Sequence, residues 1–331
     1  MLDLVTKKEF LPINQAYNSV FRLNRLSIGL VVPIETYAQG PVPTMANHVE
    51  RVQLAEELGF SAVWLRDVPF NVPSFGDAGQ TYDPFVYLGL LAGQTKQIAL
   101  GVASIILPLR HPAHVAKAAA TVDVLSEGRL LLGVASGDRP EEYPALNQSF
   151  TERGDRFRES FDYIRQMGQQ ISENKPTANS STFDNTFGHL GHGIDMLPKP
   201  LAGKLPMLIT GSSRQDPKWI AQHGDGWITY PRNLTVQSQM IQDWQTRVSA
   251  FGHVAKPMMQ PLYIDLVEDA ETPPRPIHLG FQLGTKQLLS YLKSLEKIGM
   301  NHVALNLRFN QADTEKTLER LASDILPEFT L

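Results

Sequence analysis

The stretch LPMLITGSSRQDPKWIAQHGDGWIT, Leu205 to Thr229, joins an apolar run to a helix-like stretch through Gly211, Ser212, Ser213 and Arg214. Small residues at a strand-to-helix junction leave backbone N–H groups open to an anion. Two hydroxyls and a guanidinium add donors, and a phosphate group suits such a set. The same stretch also suits plain capping, with Ser212, Ser213 or Asp216 holding the helix start, and the local sequence leaves both readings open. Other apolar runs end in polar or small residues too. Arg66-Asp67 follows SAVWL, Ala103-Ser104 lies in IALGVASIILPL, Ser136-Gly137-Asp138-Arg139 follows LLLGVA, and Asn306 and Arg308 lie in NHVALNLRF. Taken alone, Arg66-Asp67 reads as an ion pair. His111, just before Pro112, reads as a helix-start residue rather than a base. His189 and His192 in GHLGHG have a metal-like spacing, but no further ligand type clusters beside them and no metal is assigned. The chain has no cysteine, which removes thiolate catalysis, disulfides and Cys-based metal sites.

The elements that must place these residues alternate along the chain. Eight short apolar runs read as strands: Leu26 to Ile34, Ser61 to Asp67, Ile98 to Leu109, Arg129 to Gly137, Leu205 to Gly211, Asp225 to Tyr230, Pro257 to Val267 and Asn301 to Phe309. Helical spacing follows each. Val49, Val52, Leu54, Ala55 and Leu58 repeat at three to four residues and stop at Gly59, and Asp83-Pro84 reads as an N-cap with proline at the first helical position. A long helix is expected from Thr151 to Glu173. The polar segment Asn174 to Lys204 and the proline-rich Glu271 to His278 are expected to carry little regular structure. Apolar strands with little alternation predict parallel pairing buried on both faces. Eight βα units predict an α/β fold, a single (β/α)8 TIM barrel over residues 1–331, with a long excursion between strands four and five. Sites in such a barrel lie at the C-terminal ends of the strands, where the polar residues above fall.

The chain has 331 residues, 42% of them hydrophobic, enough for one large core. Its formal charge is −4 with no dense Lys/Arg cluster, which argues against nucleic acid or an anionic membrane as partner. The first 25 residues contain no uninterrupted apolar stretch of the signal-peptide kind. No run approaches the ~20 apolar residues that span a bilayer, and a cytoplasmic protein is expected.

The block IALGVASIILPLRHPAHVAKAAATVDVLSEGRLLLGVASG resembles the luciferase-like flavin-dependent oxidoreductase family. It has a strand ending in a Leu-Pro turn, His-Pro opening a helix, and LSEGR before a glycine-rich strand. GFSAVWLRD, the strand-five block and GTKQLLSYLKSLEKIGMNHVALNL are similar in order and spacing to its other blocks, from Leu26 onward. The resemblance implies a reduced flavin at the C-terminal mouth. It implies a bulge at Ala103-Ser104, with a non-proline cis peptide, behind the isoalloxazine ring. It implies a flavin phosphate at Gly211, Ser212, Ser213 and Arg214, beside Ser136 and Gly137. The expected activity is an FMN-dependent oxidoreductase, in particular a monooxygenase, working on a small organic substrate and served by a separate flavin reductase. A deazaflavin coenzyme and a non-catalytic flavin-binding protein are the alternatives, and a homodimer is expected. The catalytic histidine of bacterial luciferase is replaced here by Val68, its reactive cysteine by Ala135 and a glutamate by Gly211, which argues against light emission. Asp67 and Arg66 are the candidate catalytic pair, with Asp67 expected to face the mouth.

Overall fold

The computed structural model describes residues 9–169, 183–191, 194–252 and 255–329. His192, His253 and the last residues of the helix expected to reach Glu173 lie outside the described residues.

The eight expected strands are present as β1 (Ser27–Val31), β2 (Ala62–Leu65), β3 (Ala99–Ile106), β4 (Leu130–Ala135), β5 (Met207–Thr210), β6 (Gly226–Ile228), β7 (Met258–Leu266) and β8 (His302–Asn306). They pair in parallel in the order β7-β8-β1-β2-β3-β4-β5-β6, and β6 pairs back onto β7, which closes the barrel. The helices are α1 (Gln15–Val20), α2 (His48–Glu57), α3 (Pro84–Gln94), α4 (Pro112–Leu125), α5 (Glu142–Ala145), α6 (Arg153–Gly168), α7 (Pro217–His223), α8 (Leu234–Ala250), α9 (Thr285–Ile298) and α10 (Thr314–Asp324). Each strand is followed by a helix of the outer ring, as the alternation predicts.

Both segments expected to be irregular carry a hairpin. Phe183–Asn185 pairs with Gly188–Leu190 inside the excursion, and Arg275–Ile277 pairs with Gly280–Leu283 after β7. The second hairpin adds Gly280–Leu283 to β7 as a parallel neighbour, so the sheet holds two strands beyond the barrel. Pro273 and Pro274 precede this hairpin, and Pro276 sits on its outer strand, where a missing N–H costs no ladder bond.

Period-two alternation divides every strand between two cores. Ile28, Leu30, Val63, Leu65, Leu100, Leu132, Ile209, Met258 and Val303 pack outward against the helices. Val31, Ala62, Trp64, Ala99, Leu131, Leu208, Ile228, Met259 and Ala304 fill the barrel. Trp64 is too large for eight full-sized neighbours, and glycines make room. A methyl on Gly101 would collide with its ring, and one on Gly29 would lie 2.6 Å from the Ala62 carbonyl and 2.8 Å from the His302 ring. His302 is fully buried beside Trp64. Trp64 Nε1, a donor only, lies 2.8 Å from His302 Nε2. The proton of His302 is therefore on Nδ1, which donates to Ser27 Oγ at 2.7 Å, and that hydroxyl donates to the Val20 carbonyl at 2.7 Å.

The N-terminal mouth of the barrel is closed by residues before β1. Phe10, Ala16, Tyr17, Val20 and Phe21 belong to the interior cluster. Asn14 caps α1 and donates to Asp123 Oδ1 and the Leu130 carbonyl, while the Tyr17 hydroxyl donates to the Asp225 carbonyl at 2.8 Å. Beside this seal, Arg129 of the LSEGR motif is buried. It donates to the carbonyls of Ala92, Thr95, Ile98 and Ser126 and to Thr95 Oγ1, at 2.7–3.1 Å. It thus caps the C-terminal end of α3.

Candidate active site

The C-terminal mouth is lined by the next residue of each inward series. On β2 the series Ala62, Trp64 continues to Arg66, and on β8 Ala304 continues through Asn306 to Arg308. On β6 and β7 it reaches Tyr230 and Tyr263. On β3, β4 and β5 it reaches Ala103, Ala135 and Thr210. One half of the mouth is therefore polar and bulky, and the other half is built of small residues.

On β3 the pairing register slips between Val102 and Ile105, and the Ala103–Ser104 peptide is cis, as the resemblance implies. The bulge turns two consecutive residues inward. Ala103 packs on the interior cluster, and Ser104 Oγ hydrogen-bonds Thr210 Oγ1 of β5 over the intervening β4. Gly137, with φ +75°, lets the next loop fold over this edge, because a methyl there would lie 2.8 Å from Ile106 and 2.9 Å from the Tyr143 hydroxyl. The Tyr143 hydroxyl donates to the Ser136 carbonyl.

After β5, Gly211, Ser213 and Arg214 all adopt positive φ, at 57°, 43° and 59°. The loop is a tight cup rather than a cap. Asp216 caps α7 by accepting the Lys218 N–H at 2.7 Å, so the helix start is satisfied without either serine. The hydroxyl of Ser213 is committed to the Thr210 carbonyl at 2.8 Å, whereas Ser212 Oγ accepts the Arg214 N–H at 3.3 Å and keeps its own proton free. The backbone N–H groups of Ser212 and Ser213 meet no acceptor among the described residues. Gln215 braces the cup from behind, donating to the carbonyls of Gly154 and Ser213 and accepting from Arg158. Consecutive free N–H groups in such a turn form an anion-binding concavity.

Arg66 and Asp67 part company, because consecutive strand residues point to opposite faces. The expectation that Asp67 faces the mouth is not met: Arg66 takes the inward position. Asp67 lies outward and is buried, held by Arg110 through Oδ1 at 2.7 Å and Oδ2 at 3.0 Å, and it accepts the Ile106 N–H at 3.1 Å. Arg110 reaches Asp83 as well, at 3.0 Å. This network fastens the loop after β2 to the turn after β3.

Arg66 instead meets Asp77, a residue that sequence reasoning missed. The Asp77 carboxylate accepts Arg66 at 2.7 Å, the Gly79 N–H at 2.8 Å and the Tyr37 hydroxyl at 3.2 Å, and forms an ion pair with Arg308 Nη1 at 3.0 Å. Burial alone would raise its pKa, but Arg66, the Gly79 N–H and Arg308 together hold it below the usual value. Arg139 donates to the Asp77 carbonyl at 3.1 Å and stacks 4.0 Å above the Phe75 ring. No spacing pattern marks Asp77, which sits in a loop and is brought in by folding. Tyr263 follows from counting alternate residues up β7. His111 caps α4 through Nδ1 and meets the Phe187 carbonyl through Nε2, in keeping with its reading as a helix-start residue.

The fold matches solved structures over nearly the whole chain. An F420-dependent secondary alcohol dehydrogenase in complex with an F420-acetone adduct aligns with a TM-score of 0.74 at 17% identity, covering 93% of this chain and 100% of that one. The oxygenating constituent of 3,6-diketocamphane monooxygenase from Pseudomonas putida, a type II Baeyer-Villiger monooxygenase in complex with FMN, aligns with a TM-score of 0.70 at 13% identity, covering 93% and 99%. At these identities the likeness is one of fold. In sequence, an uncharacterised protein of Mycobacterium tuberculosis is 30% identical over 236 residues, 66% of this chain and 79% of the relative. The family model for luciferase-like monooxygenases matches residues 26–265, a span that runs from β1 through the cis-peptide bulge and the Gly211–Arg214 cup to β7, and by that match the chain belongs to the luciferase-like monooxygenase family.

Proposed function

We infer that the protein is a flavin-dependent oxidoreductase that takes FMN and acts as a monooxygenase on a small organic substrate. The observation that carries this reading is the cup after β5, with two free backbone N–H groups and a free Ser212 hydroxyl beside Arg214. These groups would hold the phosphate, and Ser136 and Gly137 would flank the chain leading to the ring. The small half of the mouth, Ala103, Ser104, Ala135 and Thr210, leaves room for a flat ring system. FMN when bound supplies hydride acceptance or oxygen activation. The chain's own residues orient it and exclude water, and the loop fastened by Asp67 and Arg110 covers one side. Asp67 is a positioning residue in this reading, and Arg66 is the member of the pair that meets substrate. A separate reductase supplies the reduced flavin.

F420, a deazaflavin, is the second reading, favoured by the likeness to the F420-dependent secondary alcohol dehydrogenase. Titrating the purified protein with FMN and with F420 decides between them. Ser212→Ala removes the free hydroxyl donor of the cup, worth roughly 1.5–3 kcal/mol toward a charged group. It is expected to weaken cofactor binding at least tenfold in a fluorescence titration. Ser213→Ala, whose hydroxyl is already committed, is expected to change affinity far less. Equal effects of the two substitutions would contradict the placement of the phosphate.

A homodimer is part of the same reading. The α3 sequence PFVYLGLLAGQ contains no charged residue, and Val86 and Leu90, one turn apart, are 75% and 44% exposed on its outer side. An apolar outer helix face of this kind marks an interface. Val86→Asp with Leu90→Asp is expected to halve the mass measured by light scattering. A wild-type monomer, or a variant of unchanged mass, would refute the assignment.

A further inference from the structure

We propose that the polar half of the mouth binds the anionic group of the substrate, so that the substrate is an apolar organic acid, a carboxylate or sulfonate on an aromatic or aliphatic body. The inference rests on the functional reading above for the place of the substrate, and on the arginines for its charge. Three guanidinium groups, Arg66, Arg139 and Arg308, converge on the single segment around Asp77. Arg139 and Arg308 are 4% and 9% exposed.

Asp77 neutralises one of the three, and the buried Glu142, 3.6 Å from Arg139 Nη1, forms an ion pair with a second but no hydrogen bond. The third acidic group nearby, Asp138, is exposed. Arg66 and Arg139 act on each other as like charges. Buried guanidinium groups are costly unless paired and hydrogen-bonded. Yet Arg139 Nη1 and Arg308 Nε are buried with no hydrogen-bond partner among the described residues. Among the described residues the Arg66 guanidinium is bound through Nη1 alone, and 20% of its side chain is exposed. The cluster therefore has donors and positive charge to spare at the open end of the barrel.

A structural role alone, clamping the loop after β2 to Arg66 and Arg308, needs no third arginine. The surroundings fix the other half of the ligand. Phe75 lies flat under Arg139 and is 43% exposed, and Tyr230, the last inward residue after β6, is 45% exposed. The second hairpin brings His278 to 5.6 Å from the Tyr263 ring, walling the same side. An anion at the arginines with an apolar body against Phe75 and Tyr230 satisfies both.

The test is calorimetric titration of the full chain with benzoate and with its neutral isostere benzamide. Benzoate is expected to bind at least tenfold more tightly. Arg139→Met and Arg66→Met are each expected to weaken benzoate tenfold or more while leaving FMN affinity within twofold. Equal binding of the two probes, no binding of either, or unchanged benzoate affinity in both variants overturns the proposal. Displacement of benzoate by saturating FMN or F420 also overturns it, because the arginines would then serve the cofactor's phosphate. Simultaneous binding of benzoate and cofactor supports it. If neither FMN nor F420 binds, the cofactor reading fails by itself while the benzoate comparison still decides the charge of the ligand. The wild-type comparison decides even where a variant does not fold.

Discussion

Replacing Arg129 with methionine is expected to lower stability by about 3–5 kcal/mol and the melting temperature by roughly 10 °C. Methionine keeps an apolar stem of similar length but removes every donor. The four carbonyls and one hydroxyl that Arg129 now satisfies lie on three different segments, the end of α3, the lead into β3 and the turn before β4. Most are too deeply buried for water to replace the guanidinium, so each orphaned acceptor keeps its desolvation cost. The buried charge itself was costly, and its removal offsets part of the loss. Differential scanning fluorimetry checks the result, and a shift below about 3 °C would mean that water fills the site. Arg129 lies at the opposite end of the barrel from the Gly211–Arg214 cup, so FMN affinity in the folded variant should stay near wild type.

Acidification is expected to unfold the protein through His302. Burial lowers its pKa from 6.5 to about 3 in the folded state. The unfolded chain therefore takes up a proton near pH 6.5 that the folded barrel refuses. Stability is fully present above that value and falls as pH drops toward about 3, by about 1.4 kcal/mol per unit. Between pH 7 and pH 5 the loss amounts to about 2 kcal/mol. The geometry explains why the barrel refuses the proton: Nε2 is occupied as acceptor by the Trp64 indole, and a proton there would face the indole N–H. His302→Gln removes the titration. Urea unfolding at the two pH values is expected to show a pH difference smaller by about 2 kcal/mol in the variant. An identical pH dependence in the two proteins would place the acid sensitivity elsewhere.

The strands and their closure were legible because period-two burial on two cores leaves long apolar runs, and the glycines that seat Trp64 stand in those runs. The two hairpins were not, since Phe183–Asn185 and Arg275–Ile277 are short and polar and are held by pairing rather than by composition. The Gly211–Arg214 cup was legible as small residues at a junction. Its division of labour was not, because the fold of the loop decides that Asp216 caps α7 and that the two serine hydroxyls differ. Arg66 and Asp67 could be found as a pair, but which faces inward depends on the phase of β2, set by Trp64 three-dimensionally. Asp77 carries no local signal at all. Its role comes from a loop folded back over the mouth, which brings it to Arg66 and Arg308, far away in sequence.

The helix before β1 bears on where the protein begins as a physical object. The family match starts at residue 26, yet the barrel's interior cluster reaches back to Phe10 and includes Tyr17 and Phe21. Recognition and folding therefore draw different borders on the same chain. The match spans β1 to β7, while the stopper at the base comes from an earlier, largely apolar stretch that also offers Asn14 to Asp123 and the Tyr17 hydroxyl to the Asp225 carbonyl. In this chain the base of the barrel is thus closed by residues outside the matched span, at the end opposite the Gly211–Arg214 cup.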